Sequence, residues 1–144
     1  MNNKGFTLIE ALLSITILVI IAGLSIPVAQ RFYTRNNLDV ATHSLVQTIR
    51  KTQSFAMGSN GDSKWGIRFS NPTITVFKGE NFAGREQEFD ENYDMPNTVR
   101  VSGIEELVFD KMSGLPNTTQ DIILTNSDGE TKTISTNSKG FISY

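Results

Sequence analysis

One carboxylate lies inside a long apolar run near the start of this chain. Between Lys4 and Arg31 the sole ionisable side chain is Glu10, and the residues after it are mainly apolar as far as Ile26. About 20 such residues are enough for an α-helix to cross the hydrocarbon core of a bilayer. A charge at the middle of that core costs roughly 2.5–3.5 kcal/mol, and less toward the edge. A simple anchor would be more stable without Glu10, which indicates a function for its carboxylate.

Glu10 ends the stretch Lys4-Gly5-Phe6-Thr7-Leu8-Ile9-Glu10. This stretch resembles the prepilin signal of type IV pilins and secretion-system pseudopilins. In that family a short basic leader ends in glycine, and a membrane prepilin peptidase cuts after it and methylates the new N-terminal residue. The resemblance therefore implies cleavage after Gly5, N-methylation of Phe6 and a role for Glu10 in filament assembly.

The chemistry of this site is coherent by itself. Cleavage would convert the Gly5–Phe6 amide into an amine with an ordinary pKa of about 7.7–8.0, which is largely cationic at neutral pH. That cation is a natural partner for Glu10, in the same chain or in a neighbouring subunit, and hydrocarbon strengthens the attraction. We therefore expect charge pairing at Glu10 during assembly.

Two simpler interpretations stay open. An ordinary secretory signal has an apolar core of about 7–15 residues and a cleavage site flanked by small residues. Here the apolar run is longer, and the best later site, Pro27-Val28-Ala29, has proline where a small residue belongs. A plain single-pass anchor fits the length but leaves Glu10 unexplained.

Composition favours a structural protein and not an enzyme. The chain has 144 residues, no cysteine, one histidine (His43) and a formal net charge of −2. Neither a Gly-x-Ser-x-Gly nor a Ser-x-x-Lys motif is present. We predict no cofactor, no metal and no catalytic residue, and the charge disfavours broad nucleic-acid binding.

The apolar run predicts the first half of a long helix. We expect a leader over residues 1–5, a transmembrane half over 6–27 and an exported domain over 28–144. Within that domain, 28–58 has the three-to-four spacing of an amphipathic helix. Its predicted buried face is Leu38, Ala41, Leu45, Ile49, Thr52 and Ala56. Pro27 lacks the N–H that would bond to the carbonyl of Gly23, which predicts a kink there.

Residues 62–144 are predicted to be rich in β-structure. Short runs of β-favouring residues alternate with turn residues such as Asn71-Pro72 and Asp128-Gly129. The predicted strands are Trp65–Phe69, Thr73–Phe77, Thr98–Val101, Glu106–Phe109, Asp121–Thr125, Thr131–Thr136 and Phe141–Tyr144. The fold class is therefore α+β: a long N-terminal helix packed against antiparallel sheets.

A second, looser resemblance points to the H-type (GspH/FimT-like) group of pseudopilins and minor pilins. Its elements are the helix end Ile49–Gly58, the Trp65 strand, Met95-Pro96, Phe109 before Gly114, and the closing Gly140-Phe141-Ile142. The group has a pilin-like fold, and its members are low-abundance filament subunits. The role implied is that of a minor subunit in a type II secretion pseudopilus or a type IV pilus.

This role implies partners and a location. The partners would be other pilin or pseudopilin subunits, the prepilin peptidase and methyltransferase, the inner-membrane assembly platform and membrane lipid. The protein would be a single-pass protein of the bacterial inner membrane with its C-terminal domain exported. An alternative role is a subunit at the filament tip that recognises DNA, as in competence, or an exported protein. Secretion, piliation and competence share one subunit plan, so the sequence does not separate them.

The segment from Glu80 to Asp94 is the most acidic part of the chain. Asp90, Glu91, Asn92 and Asp94 offer oxygen ligands of the kind that calcium prefers, but they lack EF-hand spacing. A loop that binds a partner is the favoured interpretation. The C-terminal third has no basic surface in its sequence pattern, and DNA binding is accordingly disfavoured.

Overall fold

The computed structural model describes residues 5–144, apart from the side chains at positions 24–29. The predicted leader therefore lies outside the described residues except for Gly5. Two compact units are distinguished, one ending at Tyr33 and the other running from Thr34 to Tyr144. Helix α1 is assigned over Leu8–Met57 and contributes to both units. No helix among the described residues combines the length and the apolarity needed to cross a membrane.

In the first unit, α1 presents apolar side chains in all directions. Leu8, Leu13 and Leu18 are 83%, 55% and 66% exposed, and Ile9, Leu12, Ile15, Ile17, Val19, Ile20 and Ile21 are also exposed. The hydroxyls of Ser14 and Thr16 donate to the carbonyls four residues earlier, each over 2.8 Å. The helix thus satisfies these polar groups internally and leaves a surface that favours apolar surroundings.

In the second unit, α1 is amphipathic, as the sequence predicts. All six residues of the predicted buried face, together with Val46, are at most 2% exposed. The hydroxyls of the buried Thr42 and Thr52 donate to the carbonyls of Leu38 and Thr48. The periodicity of the sequence therefore identifies the face of the helix that forms the core.

Eight strands form two antiparallel sheets. The first sheet has the order β3-β2-β1-β5 and the second has the order β4-β6-β7-β8. The strands are β1 (Trp65–Phe69), β2 (Thr73–Lys78), β3 (Glu91–Asp94), β4 (Val99–Ser102), β5 (Glu106–Phe109), β6 (Ile122–Asn126), β7 (Thr131–Thr136) and β8 (Ile142–Ser143). The α+β fold and its antiparallel sheets are confirmed, and every predicted strand is present with ends within one residue.

Strand β3 corrects the prediction that the acidic segment is entirely loop. Its sequence, Glu-Asn-Tyr-Asp, has a low β-propensity, and no local pattern predicts a strand there. It forms because it pairs with β2, with Tyr93 opposite Ile74. Thr75 adds a side-chain hydrogen bond to Asn92 across the pair, at 2.7 Å. Tertiary pairing therefore overrides the local preference.

Both sheets pack on α1 in one hydrophobic cluster. The cluster joins the buried helix face to Trp65, Ile67, Val76, Leu107, Ile122, Leu124 and Ile134. The ring centroid of Phe55 lies 4.8 Å from that of Trp65 in the first sheet. On the second sheet, Lys132 forms an ion pair with Asp39 at 2.9 Å, and its hydrogen bond lowers the pKa of Asp39. The helix is therefore the shared support of both sheets.

Gln53 on α1 fastens two loops to the helix. Its side-chain Nε2 donates to the carbonyls of Gly114 and Gly140, each over 3.0 Å. Gly140 has a φ of +80°, and a Cβ at that position would lie 2.4 Å from Gln53 Nε2. A Cβ on Gly114 would lie 2.4 Å from Cγ of Met57. We call this arrangement the Gln53 clamp; it explains why both loops have glycine at the helix surface.

Ion pairs hold the acidic segment to the rest of the second unit. Glu80 pairs with Lys64 at 2.8 Å and Glu86 with Lys78 at 3.0 Å, and within the segment Asp90 pairs with Arg85 at 2.8 Å. Glu91 pairs with Lys51 of α1. The hydrogen bond from Lys51, followed by one from Tyr93, lowers the pKa of Glu91. Hydrogen bonds of Lys51 to Glu91 and, second, to Tyr93 raise the pKa of Lys51.

Substitution of Gly140 tests the Gln53 clamp. Gly129→Ala is the matched control, because Gly129 also has a positive φ (+83°) but nothing lies within 4 Å of its added Cβ. The control should lose about 1 kcal/mol of unfolding free energy through backbone strain, whereas Gly140→Ala should lose about 3 kcal/mol because Gln53 is also displaced. Urea unfolding followed by Trp65 fluorescence measures both. Equal losses at the two positions would contradict the clamp.

The Glu91 ion pair predicts a dependence of stability on pH. Because the folded-state pKa of Glu91 lies below its ordinary 4.5, the pair stabilises the fold at neutral pH and is lost as the pH falls through the lowered pKa. Glu91 is 39% exposed, so its contribution is about 0.5 kcal/mol. Glu91→Gln should therefore reduce, by that amount, the stability lost on acidification.

The control is Glu88→Gln, because Glu88 is exposed and forms no ion pair with any residue that the structure describes. Unfolding free energies at neutral and acidic pH should show no such reduction for this variant. If both variants behave alike, the ion pair of Glu91 does not contribute.

Candidate processing and assembly site

The predicted cleavage site lies in irregular backbone just before the helix. Gly5, Phe6 and Thr7 have no regular secondary structure, and α1 begins at Leu8. The side chain of Phe6 is 85% exposed. No atom lies within 4 Å of the position that a Cβ on Gly5 would occupy. The Gly5–Phe6 bond is therefore accessible and unconstrained by helical hydrogen bonds, as a peptidase requires.

Thr7 and Glu10 form a reciprocal cap at the start of α1. Glu10 Oε2 accepts hydrogen bonds from the Thr7 amide at 3.4 Å and from the Thr7 hydroxyl at 3.3 Å. The Glu10 amide in turn donates to Oγ1 of Thr7 at 3.3 Å. This is the geometry of a capping box, although the bonds are long and therefore weak. The helix dipole adds a favourable field for the carboxylate.

The cap places Glu10 beside the residue that would carry the new amine. The amide N–H that donates to Glu10 Oε2 belongs to the peptide bond between Phe6 and Thr7. The cap was not predicted, although Thr7-Leu8-Ile9-Glu10 fits the Ser/Thr-x-x-Glu signal. Glu10 thus has a local partner before any cleavage, and an amine at Phe6 would form within the same short segment.

The other residues singled out in the stem are not part of this arrangement. Helix α1 continues through Gly23 and Pro27, which lie at least 13 residues beyond Glu10 in the sequence. The side chain of Pro27 lies outside the described side chains, and the kink stays a prediction.

The geometry of the acidic segment gives no support to a calcium site. Asp90 and Glu91 are paired with Arg85 and Lys51, and Asp94 accepts a hydrogen bond from Thr73 at 3.1 Å. Among the described residues no three His, Cys, Asp or Glu side chains are placed to hold a metal ion together. His43 is exposed, with its ring 5.4 Å from that of Tyr144.

Comparison with known proteins extends this description. Residues 1–26 match the model of the prokaryotic N-terminal methylation motif. The fold is similar to that of the minor pseudopilin EpsH from the type 2 secretion system of Vibrio cholerae, with a TM-score of 0.57 and 12% sequence identity. The match covers 74% of this chain and 94% of that one. No curated protein matches the chain.

The two matches cover complementary properties of the chain. The motif includes Gly5, Phe6 and Glu10, whereas the similarity to EpsH is one of fold. The resemblance drawn from the sequence is thereby confirmed: the chain carries a prepilin-type methylation motif, and its fold is similar to that of a minor pseudopilin.

Proposed function

We propose that this chain is a structural minor subunit of a type II secretion pseudopilus or a type IV pilus. It is made as a membrane precursor, cut by prepilin peptidase after Gly5 and N-methylated at Phe6. The observation that carries the proposal is the methylation motif over residues 1–26 in a chain with a minor-pseudopilin fold. In this role the protein is a substrate of the peptidase and methyltransferase and catalyses nothing itself.

The apolar surface of α1 suits this role. Its exposed leucines and isoleucines would contact lipid before assembly and the helices of other subunits in the filament. Both environments are apolar, so moving the helix between them requires little change in solvation. The subunit would span the inner membrane once, with its C-terminal unit exported, and the inner-membrane assembly platform would move it into the filament.

Glu10 is the one ionisable side chain in this apolar stretch of the sequence. In the precursor its carboxylate accepts the weak hydrogen bonds of the Thr7 cap. Cleavage supplies a cationic amine at Phe6, in this chain and in each neighbouring subunit. A carboxylate and an ammonium attract each other far more strongly in hydrocarbon than in water. We therefore propose that Glu10 exchanges its capping contacts for an amine during assembly, which would set the axial position of the subunit.

A second candidate function is a binding subunit at the filament tip. The net charge of −2 gives DNA recognition no support. Recognition of a protein is favoured by an apolar and cationic trough beside the Gln53 clamp, which is described below.

Three substitutions separate the charge of Glu10 from its capping role. Glu10→Ala removes both, Glu10→Gln keeps a side chain that can cap, and Thr7→Val removes the capping hydroxyl but keeps the charge. Membrane insertion and cleavage after Gly5 should be preserved in all three. We expect both Glu10 variants to lower the fraction of processed protein in isolated filaments about tenfold, the effect of losing about 1.4 kcal/mol, because the charge pair is absent.

Thr7→Val is the matched control and should assemble nearly as well as the wild type. Incorporation of Glu10→Gln at the wild-type level would refute charge pairing. Poor incorporation of Thr7→Val, equal to that of Glu10→Ala, would instead assign the effect to the cap.

A further inference from the structure

We propose that a trough at the C-terminal end of α1 is a docking surface for another protein, whose bound segment carries carboxylates next to apolar side chains. The trough has a volume of about 460 Å³. Its lining includes Arg50, Ser54, Met57, Lys139, Phe141 and Ile142. We call it the helix-end trough. All of these residues belong to the second unit.

The helix-end trough is built on the Gln53 clamp. Gln53 and Gly140 contribute to its lining, and the hydrogen bond between them fixes the loop that carries Lys139 and Phe141. The same Gln53 amide holds the loop of Gly114. The binding groups are therefore attached to a helix with a buried face, and little ordering would be needed when a partner binds.

The surface of the trough is rich in large apolar side chains. Phe141 is 71% exposed and Met57 is 55% exposed. Outside this lining, on the neighbouring loop around Gly114, Met112 is 72% exposed and Leu115 is 41% exposed. Aromatic residues and methionine are enriched in protein interfaces, where methionine adapts to the shape of a partner. This composition indicates a partner with apolar side chains of its own.

Charge defines the chemistry of that partner. Arg50 and Lys139 line the trough together with no acidic residue. Among the described residues neither forms an ion pair, in contrast to Lys51, Lys64, Arg68, Lys78, Arg85, Lys111 and Lys132. The guanidinium of Arg50 lies 5.9 Å from the ring centroid of Tyr144. Two cations without counter-ions beside apolar side chains fit a segment that brings carboxylates.

A different protein fits the trough better than nucleic acid or a second copy of this chain. Binding to a phosphate backbone relies on many cations, whereas here two lie among methionine and phenylalanine. In this chain the carboxylates of the acidic segment are largely occupied, since Glu80, Glu86, Asp90 and Glu91 are ion-paired. The acidic segment of a second copy therefore offers the trough only Glu88 and Asp94 without an ion pair among the described residues.

The inference deepens the binding role given above as the second candidate function. It rests on the geometry of the second unit and not on processing at Gly5. Its experiment therefore measures binding, and failure of the filament proposal would show in the separate assembly assay of the Glu10 variants.

The test uses the full chain in nanodiscs and a labelled peptide that alternates glutamate with leucine and phenylalanine. A second peptide has lysine in place of glutamate, and an oligothymidylate serves as the nucleic-acid probe. Fluorescence anisotropy gives each affinity after subtraction of binding to empty nanodiscs. The glutamate peptide should bind more tightly than either other probe, and Phe141→Ser should weaken its binding.

Charge reversal provides the decisive comparison. Arg50→Glu should weaken binding of the glutamate peptide about tenfold, because an attraction becomes a repulsion. Arg100→Glu is the matched control: Arg100 is exposed on β4 and also has no ion pair among the described residues. It makes the same change in net charge and should alter affinity by less than about twofold, since salt screens distant charges.

Four results would overturn the proposal. The first is equal weakening by the two charge reversals, and the second is binding of the lysine peptide as tightly as the glutamate peptide. The third is preferential binding of oligothymidylate that Arg50→Glu abolishes. The fourth is a concentration-dependent dimer that Arg50→Glu dissociates. The last two would assign the trough to nucleic acid and to self-association. Fluorescence of Trp65 checks that each variant is folded.

Discussion

The buried stripe of α1 is the contact on which the second unit depends. From Leu38 to Ala56 it contributes to one hydrophobic cluster with both sheets. Each sheet has only four short strands. Without the helix packed against it, the apolar face of each sheet would be exposed to water. The same helix also holds two loops near its C-terminal end, through the hydrogen bonds of Gln53. The helix therefore serves as the support of the core and of the candidate binding surface.

Polar contacts fix the positions of neighbouring loops and strands relative to the helix. The Gln53 clamp fixes two loops through Gly114 and Gly140, and the ion pair of Lys51 with Glu91 holds β3 close to the helix. At the other end of α1, the contact between Thr7 and Glu10 caps the helix. In each case a side chain of the helix satisfies groups that lie outside it. The residues proposed for assembly and for docking are thus positioned by contacts to the same element.

The sequence predicts features that depend on neighbouring residues and misses those that depend on distant ones. Helical periodicity identifies the buried face from Leu38 to Ala56, and alternation with turn residues locates seven strands within one residue. Strand β3 and the Gln53 clamp have no such local signal, because Glu91 meets Lys51 40 positions away and Gly140 meets Gln53 87 positions away. The Thr7–Glu10 cap is different: its signal, Thr7-Leu8-Ile9-Glu10, is local and sufficient to predict the cap from the sequence.

The most direct test of the account is the N-terminal residue and intact mass of the protein isolated from membranes, with and without a prepilin peptidase. The expected result is a chain that begins at Phe6, bears a methyl group on its amine and appears only when the peptidase is present. A chain that still begins at Met1 would describe an anchored domain, and a cut beyond Pro27 would describe a secreted one. Either result would contradict the proposed role as a filament subunit.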